Sequence, residues 1–366
     1  MWRGAVLILL ASLAVGACTP QAQQSPSWFA CKQAGVDQAT LERRAQACMA
    51  LIQGEATSPA DLALAYRLHA QALRLSGAPD SALQDLNKSI ALNADDPLAF
   101  DERGLDELTL GRLDPAATDF ETAVRIDPQG AAGYDDRSVI ERLRGDLGGA
   151  QRDADRAIAL KPDWADPWGE RGLVYLAKRR FDMALADFAQ TLKLDATQAF
   201  ALDGAGAAEA GKGDLKAAMS DYGHAEGLYI DRRNFRAAMA DADRLVALAP
   251  DDPEALNGGC WTRAIANTEL EAALADCQRS LQIRPGAADA TDSLAFVQFR
   301  LGRFADAVRN YDAAYTKDPS QTSSLFMRGV AKLRAGDTAG GQSDIDTAKN
   351  ADATVVDEYA GYGVTP

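Results

Sequence analysis

The sequence is poor in the groups that carry chemistry. Its 366 residues include two histidines, His69 and His224, in unrelated contexts. A histidine-based metal or catalytic centre has little to work with on that supply. Basic residues are outnumbered, 38 Lys and Arg against 53 Asp and Glu, for a net charge of −15. That balance opposes binding to a phosphate backbone, so no nucleic-acid partner is expected. There is no Gly-rich phosphate loop between strand and helix, no Gly-x-Ser-x-Gly and no HExxH. The paired carboxylates Asp135–Asp136 and Asp251–Asp252 fall where helix capping is their ordinary role. We therefore expect no enzyme, no cofactor and no metal site.

Long apolar runs are also lacking. Ala5–Val15, following Arg3, is too short to span a bilayer and has the length of a signal-peptide core. It ends in Val15, Gly16 and Ala17, immediately before Cys18. This resembles the lipobox of bacterial lipoproteins, with Val15 where Leu is usual. The resemblance implies cleavage after residue 17 and lipid on the Cys18 thiol; Thr19 in place of Asp then implies the outer membrane. An ordinary cleaved export signal is the alternative. Residues 18–27, polar with two prolines, read as the lipidated cysteine and a flexible tether.

Four more cysteines stand at Cys31, Cys48, Cys260 and Cys277, two pairs each separated by seventeen residues. In an exported chain an even count favours disulfides, and the spacing selects Cys31–Cys48 and Cys260–Cys277. Each bridge would close a loop worth about 3 kcal/mol. Four buried free thiols are the other reading. Zinc is disfavoured, since no CxxC occurs.

What the chain does have is repetition. On a 34-residue ruler, small residues recur at Ala82, Ala116, Ala150, Ala184, Ala218, Ala273 and Ala307. Four residues after these come Leu86, Phe120, Ala154, Phe188, Tyr222, Cys277 and Tyr311. Prolines close several repeats, at Pro128, Pro162, Pro250, Pro285 and Pro319. Upstream, bulky Tyr66, Phe100, Tyr134, Trp168 and Leu202 precede small Ala70, Gly104, Ser138, Gly172 and Gly206 by four. The spacing predicts two helices per repeat, A and B, with small residues where they approach and proline ending B.

The pattern resembles the tetratricopeptide (TPR) repeat over about nine tenths of the mature chain. It implies an all-α fold, a right-handed superhelical solenoid of antiparallel helix pairs. Repeats are expected to start near residues 63, 97, 131, 165, 199, 254, 288 and 322. A degenerate capping hairpin precedes them at 28–62, the array fills 63–353, and 354–366 forms a capping helix and tail. One step is irregular: from Ala196 to Pro250 is neither one repeat nor two. Near 214–250, either the helix at 215–230 is shared by two repeats or a lone helix is added.

Arg103, Arg137, Arg171 and Arg328 share the seventh position of their repeats, and Asp85, Asp119, Asp153, Asp187, Asp221, Asp276 and Asp344 the twenty-third. That periodicity reads as structural pairing between the helices of a pair. In the resembled family the inner wall is built from A-helix positions two, five, nine and twelve. Here those give an acidic stripe, Asp101, Asp135, Asp203 and Asp292, and an apolar set including Phe200, Trp261, Phe296, Phe299 and Phe326. A protein or peptide with a basic and apolar segment would suit such a groove; ordinary solubility and core burial are the competing readings. The expectation is a non-catalytic scaffold or adaptor lipoprotein facing the periplasm, touching membrane through its lipid alone. Alternatives are a component of pilus, secretion or outer-membrane assembly machinery, an accessory to a cell-wall-processing enzyme, or a site in the irregular 214–235 region.

Overall fold

The computed structural model describes residues 25–35, 37–56 and 58–366. Cys18, the signal segment and most of the tether lie outside the described residues. No strand occurs among the described residues. The chain divides into two compact units, one up to Asp195 and one from Ala196 to Pro366.

The N-terminal unit holds α1 (Pro26–Cys31), α2 (Gln38–Ala50), α3 (Pro59–Leu75), α4 (Pro79–Leu92), α5 (Pro97–Thr109), α6 (Leu113–Ile126), α7 (Ala131–Arg144), α8 (Leu147–Leu160), α9 (Ala165–Ala177) and α10 (Phe181–Leu194). The C-terminal unit holds α11 (Ala199–Lys212), α12 (Leu215–Asp231), α13 (Phe235–Leu248), α14 (Pro253–Ala266), α15 (Leu270–Ile283), α16 (Ala288–Arg300), α17 (Phe304–Lys317), α18 (Thr322–Arg334), α19 (Thr338–Ala351) and α20 (Val355–Gly361). The tether expected to reach residue 27 is shorter than that, because Ser25 accepts a hydrogen bond from the Trp28 amide and starts α1 at Pro26.

Helices pair in chain order, α3 with α4, α5 with α6, and so on, and A helices of neighbouring repeats also touch within each unit. Three pairs close on a glycine under a ring, Gly104 with Phe120, Gly172 with Phe188 and Gly206 with Tyr222. A Cβ on Gly104 would lie 2.5 Å from the Phe120 ring, and one on Gly172 2.7 Å from Phe188. Both rings are fully buried. Glycine lets the helix axes approach until ring meets backbone, which a larger side chain prevents. Between the helices of most pairs a glycine turns the chain with positive φ, as Gly111 (75°) and Gly145 (84°) do; Arg179 and Arg233 hold the same left-handed turn without being glycine.

The disulfides sit in this scheme. Cys31–Cys48 ties α1 to α2, with Cα atoms 4.9 Å apart, and Cys260–Cys277 ties α14 to α15 at 5.4 Å. The second puts a covalent contact at the place where those three pairs set a ring against glycine.

In the irregular step α12, 17 residues long, packs against both α11 and α13. Its Tyr222 ring lies under Gly206 of α11, as helix B does, while its Glu226 accepts a hydrogen bond from Thr262 of α14, as an A helix meets its neighbour. One helix serves two repeats, which removes a helix and its turn.

Candidate binding face on the A helices

The repeated Arg and Asp form forks inside each helix pair. Arg103 donates to both oxygens of Asp119 at 2.8 and 2.7 Å, and Arg171 to both of Asp187 at 2.8 Å. Arg137–Asp153 and Arg328–Asp344 repeat the geometry. A further nitrogen reaches back one repeat, from Arg103 to Asn87 and from Arg171 to Asp155, both at 2.7 Å. The planar guanidinium thus clips two pairs together, which an ammonium does not do with one charge. His69 takes the arginine's place in the first repeat and meets Asp85 at 2.5 Å. In α14 the position is Gly259, and Arg263 one turn later reaches over it to Asp276 at 2.8 Å. These groups hold repeats together and are not available to a ligand.

The acidic stripe requires correction. Asp101, Asp135 and Asp292 are buried, with at most 8 % of their surface exposed, and Asp203 is half-buried. The fifth A-helix position looks into the seam between neighbouring A helices: Asp292 of α16 accepts a hydrogen bond from Ser324 of α18. Burial pushes the Asp292 carboxyl up to about 6, against the pull of that hydrogen bond. Asp203 accepts from Arg244 at 2.7 Å, beside Asp241, whose carboxyl burial first and Asp203 second push up to about 7. Carboxylates in such seams serve packing, and a partner's lysines cannot reach them as a row.

In the N-terminal unit the A-helix seams are ionic. Arg67 meets Glu102 at 3.0 Å and Asp96 at 3.1 Å, Arg74 lies 3.4 Å from Asp106, and Arg142 lies 3.0 Å from Glu170. Asp106 has no exposed surface, and burial pushes its carboxyl up to about 7 although Arg74 pulls it down. Among the described residues no group of three or more His, Cys, Asp or Glu side chains could hold a metal ion, and no helix is long and apolar enough to cross a membrane.

In the C-terminal unit the seams are aromatic, and the apolar residues named from the sequence divide. Phe296 and Phe326 are fully buried, so they are core rather than open groove. Phe200, Trp261 and Phe299 keep part of their surface exposed. Trp261, Phe296 and Phe326 share one neighbour that the sequence reading placed elsewhere, α20. Tyr359 packs edge-on to Phe296 and tilted against Phe326, each with ring centres 5.7 Å apart. Tyr362 stands edge-on to Trp261 at 5.9 Å and near Phe235 at 6.5 Å. Residues 355–364 therefore lie across the A helices α14, α16 and α18 instead of only closing the end of the last pair. Main-chain carbonyls complete the docking: Arg233 donates to Gly361, Arg300 to Tyr362, and Arg334 to Thr365 at 2.9 Å. Arg233, Phe235, Arg300, Tyr359 and Tyr362 were missed as site residues. The signal for the tyrosines was the pair of rings three residues apart in "EYAGYG", which the capping reading absorbed.

No protein-family model matches the chain, and no curated protein matches it. Solved structures do. A MamA chain from Desulfovibrio magneticus RS-1 is 20% identical, covering 46% of this chain and 96% of its own, with a TM-score of 0.40. YrrB, a TPR protein described as having an unusual peptide-binding site, is 18% identical over 56% of this chain and 95% of its own, TM-score 0.34. A tetratricopeptide repeat protein from Parabacteroides merdae is 15% identical over 75% of this chain and 98% of its own, TM-score 0.38. The helix pairs themselves, small residue under ring and Arg fork on Asp, make this chain an all-α array of tetratricopeptide-type repeats.

Proposed function

We propose that this protein is a non-catalytic scaffold that binds a polypeptide segment on the A-helix face of its C-terminal unit. The observation that carries the reading is that this face already holds one, its own residues 355–364, by edge-on ring contacts and by arginine donation to main-chain carbonyls. A surface that recognises backbone carbonyls and aromatic rings is built for peptide, not for a small substrate. No triad, metal cluster or perturbed acid–base pair enters the reading. Asp106 and Asp292, whose carboxyls burial pushes up, lie in helix seams.

The setting we infer is the bacterial envelope, with Cys18 lipidated and the repeats in the periplasm. The export-type N-terminus and two disulfides in a chain of this kind support it, since such bonds persist in oxidising compartments. Which envelope process the scaffold serves is a matter for its partner. Two experiments test the reading. Cys18→Ala should move the protein from detergent-extracted membrane to the soluble periplasmic fraction; unchanged fractionation would refute the anchor. Crosslinking in intact envelopes, with a photoreactive residue at Phe299, should capture a discrete protein partner. Capture of none, with the protein folded and correctly placed, would refute the scaffold.

A further inference from the structure

The patch that receives Gly361 and Tyr362 differs from the rest of the docked segment. Tyr359 and Val355 are almost fully buried and belong to the apolar core of the unit. Tyr362 is only half-buried, and it is flanked by Gly361 and by Gly363, whose φ of 75° is a left-handed turn. Glycines on both sides make this the part of the segment with the greatest backbone freedom to leave. The surface beneath is the fixed side. Arg300 is held by a second hydrogen bond to the Ala264 carbonyl at 3.2 Å and lies 4.9 Å over the Phe296 ring. The Trp261 ring is tilted against Phe296, with ring centres 5.5 Å apart. Arg233 is one of the non-glycine residues with positive φ, 56°, and its guanidinium is spent on Gly361 rather than on a carboxylate.

We propose that Arg233, Phe235, Trp261 and Arg300 form a binding subsite which Gly361–Tyr362 occupies as a resident stand-in for the partner. The partner segment is one that sets an aromatic ring against Trp261 and offers main-chain carbonyls, or a carboxylate in their place, to Arg233 and Arg300. Two arginines donating to carbonyl oxygens select that chemistry over a basic segment, so the partner differs from the Lys- or Arg-bearing one that the sequence suggests. Gly361–Gly363 moves aside on binding while Val355, Tyr359 and Val364 stay anchored in the core. This rests on the scaffold reading above, and deepens it.

The test uses the full chain and a labelled synthetic peptide of residues 354–366 as probe. Tyr362→Ala empties the subsite and costs Tyr359 one edge-on contact while leaving those with Phe296 and Phe326; it should bind the peptide at least tenfold more tightly than the unaltered chain, where the resident ring competes. Adding Trp261→Ala should abolish that gain. Equal binding by a folded Tyr362→Ala chain would overturn the proposal. So would a dimer of the unaltered chain or of the variant in light scattering, which would make a second copy the occupant. Hydrogen exchange on the unaltered chain needs no variant: amides of Tyr362 and Gly363 should exchange at least tenfold faster than those of α18. Exchange at the rate of α18 would show a fixed structural cap and overturn the subsite. If envelope crosslinking still captures a partner while these results are negative, the scaffold stands and only the subsite falls.

Discussion

Replacing Gly104 by alanine sets two effects of opposite sign against each other. Alanine favours the helix interior over glycine by about 0.5–1 kcal/mol. The added Cβ, however, would lie 2.5, 2.8 and 2.9 Å from three atoms of the Phe120 ring. Ordinary carbon contacts begin near 3.4 Å, so the ring must withdraw by about 1 Å or α5 must lift from α6. Phe120 has no exposed surface and is enclosed by Ala116, Ala117 and Ile140. Overpacking of a core costs about 1–3 kcal/mol, which, less the propensity gain, leaves a net loss of up to about 2.5 kcal/mol. The internal control is Gly223, exposed on α12 with nothing within 4 Å of an added Cβ. There only the propensity term operates, and alanine should stabilise by about 0.5–1 kcal/mol. Repeat arrays unfold in pieces, so the assay is hydrogen exchange resolved by helix, supported by urea midpoints. Faster exchange in α5 and α6 for Gly104→Ala, with slower exchange in α12 for Gly223→Ala, is the expected result. Two changes of the same sign would refute the account of why these pairs need a small residue beneath a ring.

Three further perturbations follow from the same geometry. Arg103→Ala leaves the buried Asp119 carboxylate without its fork and should cost about 2 kcal/mol in urea unfolding, with Arg103→Lys restoring less than half; full rescue by lysine would mean that charge alone matters. Reduction should lower the thermal midpoint by the equivalent of up to about 3 kcal/mol per bridge. A Cys260→Ala/Cys277→Ala chain should lose the part due to α14–α15, and an unaltered response would show that this bridge does not stabilise. Asp106 binds its proton more tightly folded than unfolded, so its stabilisation is full below pH 3.8 and is lost as pH rises through about 7. The unaltered chain should therefore lose up to about 3 kcal/mol between pH 5 and pH 8 that Asp106→Asn does not lose; parallel pH profiles would place Asp106 in water.

How far the sequence could be read depended on whether an interaction repeats. The Gly104–Phe120 and Gly172–Phe188 contacts, and the forks of Arg103 and Arg171, recur at a fixed interval, so periodicity alone exposes them. The left-handed glycines of the turns, Gly111 and Gly145 among them, were equally periodic and carried a signal that went unread. The fifth A-helix position recurs too, yet its period states only which side of a helix Asp101 or Asp292 occupies. Whether that side meets water or the next A helix depends on how closely neighbouring pairs stack. Here Ser324 is near enough to Asp292 to hydrogen-bond to it, so the carboxylate is enclosed. The docking of Tyr359 and Tyr362 has no period at all. It joins residues up to 128 positions apart, Arg233 and Gly361, through a single non-repeating contact. A repeat array therefore displays its scaffold in its sequence and conceals its recognition, because whatever distinguishes one binding face from another must break the repeat. The places where this chain departs from its own pattern, the shared helix α12, the left-handed Arg233 and the segment after Ala351, converge in space around Trp261 and Phe235.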